Sequence, residues 1–182
     1  MIEVEIKLPI SDRQAVEQGL KKIGFEFGDL VKESDIYFNS EVYDLKKRDM
    51  ALRIRSCENM TKGKSETVVT YKGPKMDAIS MTRKELETEV ADARVFQEML
   101  SGIGFYPVCP VIKLRQYYHL ENVTACVDQV ENLGDFLELE VIVEKEEERE
   151  AALVQIKDIL KILGHNFSET TRTSYLSMLQ NI

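Results

Sequence analysis

The stretch Ile2-Glu3-Val4-Glu5-Ile6-Lys7-Leu8 decides the fold. Apolar and charged residues alternate strictly, the period of a β-strand with two unlike faces. Ile2, Val4, Ile6 and Leu8 fall on one face, and Glu3, Glu5 and Lys7 on the other. The spacing returns along the chain. Arg53 and Arg55 share a face opposite Leu52 and Ile54, and Lys113 and Arg115 share one opposite Ile112 and Leu114. Glu138 and Glu140 do the same opposite Leu137, Leu139 and Val141. Glu85, Glu87 and Glu89 form a further stripe after Arg83, and Asp128 lies opposite Val127.

An alternating strand ordinarily turns its polar face to water. Glu87 and Glu89 are read that way, as are Glu144–Glu150, Lys21–Lys22 and Lys46–Arg48. The remaining stripes differ, because whole stripes are acidic or basic. Like charges two residues apart on one face repel, so a bound species is expected to supply the opposite charge. Acid pairs offer the hard oxygen donors that suit Mg²⁺ or Mn²⁺. Arg and Lys pairs suit phosphate oxygens, Arg through bidentate contacts. A site carrying both fits a metal–triphosphate complex. The barrel is then built inside out, with its charged face lining a tunnel and its apolar face under helices.

The rest of the pattern agrees. Strands are expected near 2–8, 25–38, 50–57, 66–73, 80–90, 111–120, 123–130 and 135–144. Helices are expected over about 12–23 with Ser11 as N-cap, 93–102 capped by Asp92, 144–163, and 172–180. Segments 39–49 and 58–65 are polar and read as loops. Many strands and few helices predict an α+β fold, and that many antiparallel strands hide their edges by closing or stacking.

The composition narrows the field. A chain of 182 residues, 43% hydrophobic, without a repeat or linker, reads as a single domain over 1–182. A net charge of −8 argues against nucleic acid as the partner, while a local basic cluster can still hold a small anion. No apolar run is long enough to span a membrane, and the first residues do not form a secretory signal. Cys57, Cys109 and Cys126 are odd in number and widely spaced, which suits reduced thiols and a cytoplasmic setting. His119 and His165 read as packed or surface groups, with a catalytic His119 the lesser alternative. Tyr37, Tyr71, Tyr117 and Tyr175 read as packing, with lining the tunnel mouth or stacking on a base the alternative.

The charged strands resemble the CYTH superfamily, which groups class IV adenylyl cyclases with thiamine triphosphatases. The ExExK signature is Glu3-Val4-Glu5-Ile6-Lys7. Further blocks follow in order: DIYF (35–38), ALRIR (51–55), TYKGP (70–74), TRKELE (82–87), KLRQYY (113–118), VDQVENLGDFLELE (127–140) and TSYLSML (173–179). The last two are most similar to the class IV cyclase branch. The resemblance implies a closed eight-stranded antiparallel β-barrel, the triphosphate tunnel fold, with helices packed outside. It implies metal ligands at Glu3, Glu5, Asp128, Glu138 and Glu140. It implies phosphate-binding roles for Lys7, Arg53, Arg55, Lys72, Arg83, Lys113 and Arg115. Lys7, Glu138 and Glu140 are the candidate catalytic residues, and Glu85 is a further acidic tunnel position without an assigned role. The implied cofactor is Mg²⁺ or Mn²⁺. The implied partner is a small-molecule triphosphate, with no nucleic acid and no membrane, and a homodimer is the oligomer considered. Two reactions stay open: conversion of ATP to cyclic AMP and pyrophosphate, and hydrolysis of thiamine triphosphate, tripolyphosphate or a nucleotide. A third reading is a non-catalytic polyphosphate-binding module.

Overall fold

The computed structural model describes residues 2–76 and 82–182. In chain order the elements are β1 (Ile2–Pro9), α1 (Arg13–Ile23), β2 (Glu26–Ser40), β3 (Ala51–Asn59), β4 (Lys64–Lys75), β5 (Arg83–Glu89), α2 (Ala93–Gly102), β6 (Phe105–Leu120), β7 (Val123–Val130), β8 (Gly134–Val143), α3 (Arg149–Ile162) and α4 (Tyr175–Leu179). The strands close in the order β1-β5-β4-β3-β2-β6-β7-β8, and β8 returns to β1. Every neighbouring pair is antiparallel. The fold is α+β, a closed eight-stranded barrel with helices packed outside.

Alternation sorts the two faces. The outward residues Val4, Ile6, Leu8, Leu137, Leu139 and Val141 are buried with Leu20 of α1 and Ile156 and Leu160 of α3. Each such side chain contributes roughly 1.5–3 kcal/mol on burial. α2 covers a second apolar patch, where Leu100 meets Phe38, Ile54 and Val69. At one end of the barrel Val111, Val130 and Phe136 pack against Tyr175 of α4. The inward faces carry the charges.

Several boundaries move from the sequence reading. Asp12, rather than Ser11, caps α1, its Oδ1 accepting from the Ala15 amide at 2.9 Å. Gly24 ends that helix at φ +109°, a conformation L residues seldom adopt. β6 begins at Phe105, six residues early, because Pro107 and Pro110 mask the strand pattern. Proline is tolerated at irregular pairing, and the β2–β6 register shifts between Ile36 and Phe38, beside both prolines. The 58–65 loop is a tight hairpin with strand on either side, turning at Gly63 with φ +64°. A short 3-10 turn at 146–148 precedes α3, and α4 is only five residues long. The expected strand 80–90 is described from Arg83, while residues 80 and 81 lie outside the described residues.

The cap assignment predicts a clear contrast. Asp12→Ala is expected to lower unfolding free energy by about 1 kcal/mol. Ser11→Ala should change it by less than about 0.5 kcal/mol. Urea denaturation of both purified variants measures the difference.

Candidate functional site

The barrel encloses a cavity of about 560 Å³ lined by more Lys and Arg than acidic side chains. Glu3, Glu5 and Lys7 reach it from β1, Arg53 and Arg55 from β3, and Lys72 from β4. Arg83 and Glu85 enter from β5, Lys113 and Arg115 from β6, and Glu138 and Glu140 from β8. All the sequence-selected residues except Asp128 line this one cavity. Asp128 sits behind the wall, fully buried.

The register makes the wall a belt of alternating sign. Asp35 faces Arg55 across β2 and β3, Glu33 faces Lys113 across β2 and β6, and Arg115 faces Asp128 across β6 and β7. Lys7 faces Glu138 across β1 and β8, and Lys72 faces Glu85 across β4 and β5. Arg55 donates Nε and Nη2 to the two oxygens of Asp35 at 2.7 and 2.8 Å. Its Nη1 lies 2.8 Å from Glu33 Oε2, and Lys113 Nζ lies 3.0 Å from the same oxygen. Arg115 clamps Asp128 with two bonds of 2.7 Å and also binds Glu138. Lys7 Nζ is 3.5 Å from Glu138 Oε1. Tyr175 donates its hydroxyl to Asp128 Oδ2 at 2.9 Å, and its ring lies under Lys7 at 4.2 Å. Both oxygens of Asp128 are thus committed to Arg115, one of them also to Tyr175.

These contacts correct the reason given for the stripes. Much of the opposite charge comes from the neighbouring strand, and a bound species is needed only where the match fails. It fails at one corner. Glu5 faces Glu140 directly across β1 and β8, with Glu3 two residues away on the same face. None of the ion pairs among the described residues includes Glu3, Glu5 or Glu140. Burial, then the Glu138 charge, pushes the Glu5 carboxyl up to about 7. Burial, then Glu3, pushes Glu140 up to about 8. Glu138 moves the other way. Burial opposes its ionisation, but Arg115 and Lys7 override burial and hold it well below the usual range.

Carboxylates supply the oxygen donors that Mg²⁺ and Mn²⁺ prefer. Among the described residues no three His, Cys, Asp or Glu side chains form a ready metal cage. Mg²⁺ ordinarily takes one or two carboxylates and completes its shell with phosphate oxygens and water. Glu5 and Glu140 fit such a cation best, because they face each other and neither joins an ion pair among the described residues. Glu3 lies beside them on the same face but meets Arg83 across β1 and β5. Glu138 and Asp128 already hold basic partners.

Other groups at the site went unread in the sequence. Glu33 and Asp35 are each 1% exposed and pair with Arg55 and Lys113 of the basic wall. Their i, i+2 spacing carries the same signal as the other stripes. Thr70 accepts from Arg53 Nη2 at 3.1 Å and donates to Glu87 Oε1 at 2.6 Å. Glu87, read as surface, therefore reaches the cavity lining. Asp49, in the polar 39–49 loop, holds Lys75 Nζ at 2.6 Å. Lys46, read as a solvated loop residue, binds Gln180 at 2.8 Å beside the same cavity. Neither histidine lines the cavity.

The CYTH domain model matches residues 1–175. A protein of Methanocaldococcus jannaschii named "Putative adenylate cyclase" is 40% identical over 178 residues, 98% of each chain. The adenylate cyclase CyaB of Aeromonas hydrophila is 26% identical over 179 residues, 98% of this chain and 88% of that one. A solved structure from Pyrococcus horikoshii has a TM-score of 0.89 and 37% identity, covering 98% of both chains. No helix of the described residues is long and apolar enough to cross a membrane.

The acidic corner makes stability depend on pH. Glu5 and Glu140 keep protons in the folded chain at pH values where an unfolded carboxyl, near 4.5, has lost them. The folded state binds more protons between about pH 4.5 and 8, so this contribution to stability falls as pH rises through that window. With a chelator present, Glu140→Gln is expected to melt higher than the parent at about pH 8.5. The gap should shrink toward pH 5. Melting curves across that range read the slope directly.

Proposed function

Because the chain belongs to the CYTH domain family, we propose that it is a metal-dependent enzyme acting on a triphosphate in this tunnel, with ATP converted to cyclic AMP and pyrophosphate. One observation carries the reading. The facing carboxylates Glu5 and Glu140, with Glu3 beside them, form no ion pair among the described residues and open onto the same cavity as a wall of Arg and Lys. A polyphosphate needs the wall, and its counter-cation needs the corner. The cyclase assignment over hydrolysis rests on the names of two relatives, "Putative adenylate cyclase" and "Adenylate cyclase CyaB".

Glu3, Glu5 and Glu140 would hold Mg²⁺ or Mn²⁺. When bound, the ion supplies positive charge to the phosphate oxygens and makes a nearby hydroxyl more acidic. The protein's own groups do the rest. Lys113, Arg115, Arg53 and Arg55 bind the phosphate chain with N–H groups not taken by the buried acids. Lys7, held between Glu138 and the Tyr175 ring, presents a fixed charge to a phosphate oxygen. The ribose 3′-oxygen bonds to the α-phosphorus as the bond to the bridging β-oxygen breaks. Pyrophosphate leaves with that electron pair, and the hydroxyl proton passes to a carboxylate of the corner or to water. Such transfer depends on alignment and charge stabilisation rather than a covalent nucleophile. Enclosure keeps the interactions strong by excluding water.

A product assay tests the reading. With Mg²⁺ or Mn²⁺ and ATP, cyclic AMP and pyrophosphate are expected in equal amounts. Orthophosphate from ATP, thiamine triphosphate or tripolyphosphate would replace the cyclase with a hydrolase. Binding without turnover would reduce the protein to a binding module.

Substitutions separate the two halves of the site. Glu5→Ala and Glu138→Ala are expected to abolish turnover while the folded circular dichroism spectrum is kept. Arg55→Ala is expected to raise KM by roughly tenfold or more, the scale of a lost charge-assisted contact, and to lower kcat as well. Steady-state kinetics with the active substrate measure each effect. Full activity in Glu5→Ala would remove the acidic corner from the mechanism.

A further inference from the structure

Two buried acids take no part in the chemistry above. Glu33 and Asp35 do not line the cavity, yet each is 1% exposed and tied to cations that do. Burying a carboxylate is costly until its partners compensate, and an apolar pair of similar volume is often no less stable. Their geometry suggests a use. A guanidinium has five N–H donors in a rigid planar fork. Asp35 takes Nε and one Nη2 donor of Arg55, and Glu33 meets Nη1 from another side. The plane of Arg55 is fixed, and the remaining Nη donors are left for a ligand. Glu33 also fixes Lys113 at 3.0 Å and accepts from the Tyr117 hydroxyl at 3.1 Å. Asp35 reaches Arg53 Nη1 at 3.4 Å.

We propose that Glu33 and Asp35 are positioning residues that hold Arg55, Arg53 and Lys113 in the orientation needed by the transition state, at the expense of ground-state affinity for the phosphate chain. The inference rests on the triphosphate reading of the site and adds a role to residues outside the cavity wall. Two negative charges directly beside these cations weaken their pull on any anion. Without them the cations attract phosphate more strongly and are free to follow it. Binding then tightens in the ground state while alignment is lost, and interactions that strengthen only ground-state binding do not raise kcat.

The consequence is a split between binding and turnover. Glu33→Gln and Asp35→Asn keep shape and remove one charge each. Both are expected to bind inorganic tripolyphosphate roughly tenfold more tightly in calorimetry, the scale of one partly screened charge at short range. Both are expected to turn over the active triphosphate substrate roughly tenfold more slowly, the scale of misalignment at a reacting centre. A merely structural role would lower affinity, kcat and melting temperature together, and that outcome overturns the proposal. So does unchanged kcat. The unsubstituted protein gives a second readout that needs no variant. On titration with tripolyphosphate, the side-chain Nε–H NMR signal of Arg55 should stay in place while its Nη signals move. A large shift at Nε would show that Asp35 releases Arg55, and would overturn the proposal. If tripolyphosphate does not bind the unsubstituted chain and no triphosphate is turned over, the functional reading fails and this inference with it. Normal binding and turnover with unaltered variants would sink this inference alone.

Discussion

A closed barrel has no outside for its inner face, and that confinement governs the rest of the structure. Side chains that would spread into water on an open sheet are driven together across a narrow interior. A charge there cannot be left alone, because desolvation without a partner costs several kcal/mol. The chain answers with register. Asp35 opposite Arg55, Glu33 opposite Lys113, Asp128 opposite Arg115 and Glu138 opposite Lys7 neutralise most of the wall. The corner at Glu5 and Glu140 is the exception, and on the proposed reading it is where a cation binds.

The same confinement explains the apolar exterior. With its charges turned inward, β1 must bury Val4, Ile6 and Leu8 outside, so α1 and α3 are required as a cover. α2 serves β2, β3 and β4 in the same way. α4 differs, because it meets the inner face where that face becomes apolar at Val111, Val130 and Phe136. Its Tyr175 hydroxyl ends on Asp128, so the last helix is linked to the basic wall through one buried acid.

How far the sequence disclosed this follows from what each signal encodes. Alternation in IEVEIKL reports which face a residue takes, and a face is a property of one strand. The strands, the inside-out barrel and the cavity-lining residues on them were therefore legible. Pairing belongs to two strands and depends on register, which no single stripe records. Arg53 and Arg55 looked unmatched because Glu33 and Asp35 lie on another strand, in a segment whose mixed polarity hid its own stripe. Asp128 lined up with the metal ligands by resemblance, and only the coordinates place Arg115 and Tyr175 on its two oxygens. Pro107 and Pro110 hid the first third of β6, since proline is a poor strand signal that an irregular pairing can accommodate. The role of Asp49, at φ +54° in a polar loop, has no periodic signature at all.

The overall charge of −8 and the proposed anionic substrate are compatible on the same grounds. Exposed acids on the outer surface are screened within about a Debye length of roughly 8–10 Å, whereas the tunnel cations act at contact. Within the tunnel, the uncompensated corner repels a polyphosphate until a cation occupies it. On the proposed reading, the cation and the polyphosphate thus favour each other's binding, and by linkage the coupling is equal in both directions. A wall neutralised by its own acids strengthens that dependence. Asp35, Glu33 and Asp128 leave the basic side with spare N–H donors but little spare charge, so on the proposed reading hydrogen-bond geometry selects the phosphate chain and the cation supplies the missing attraction.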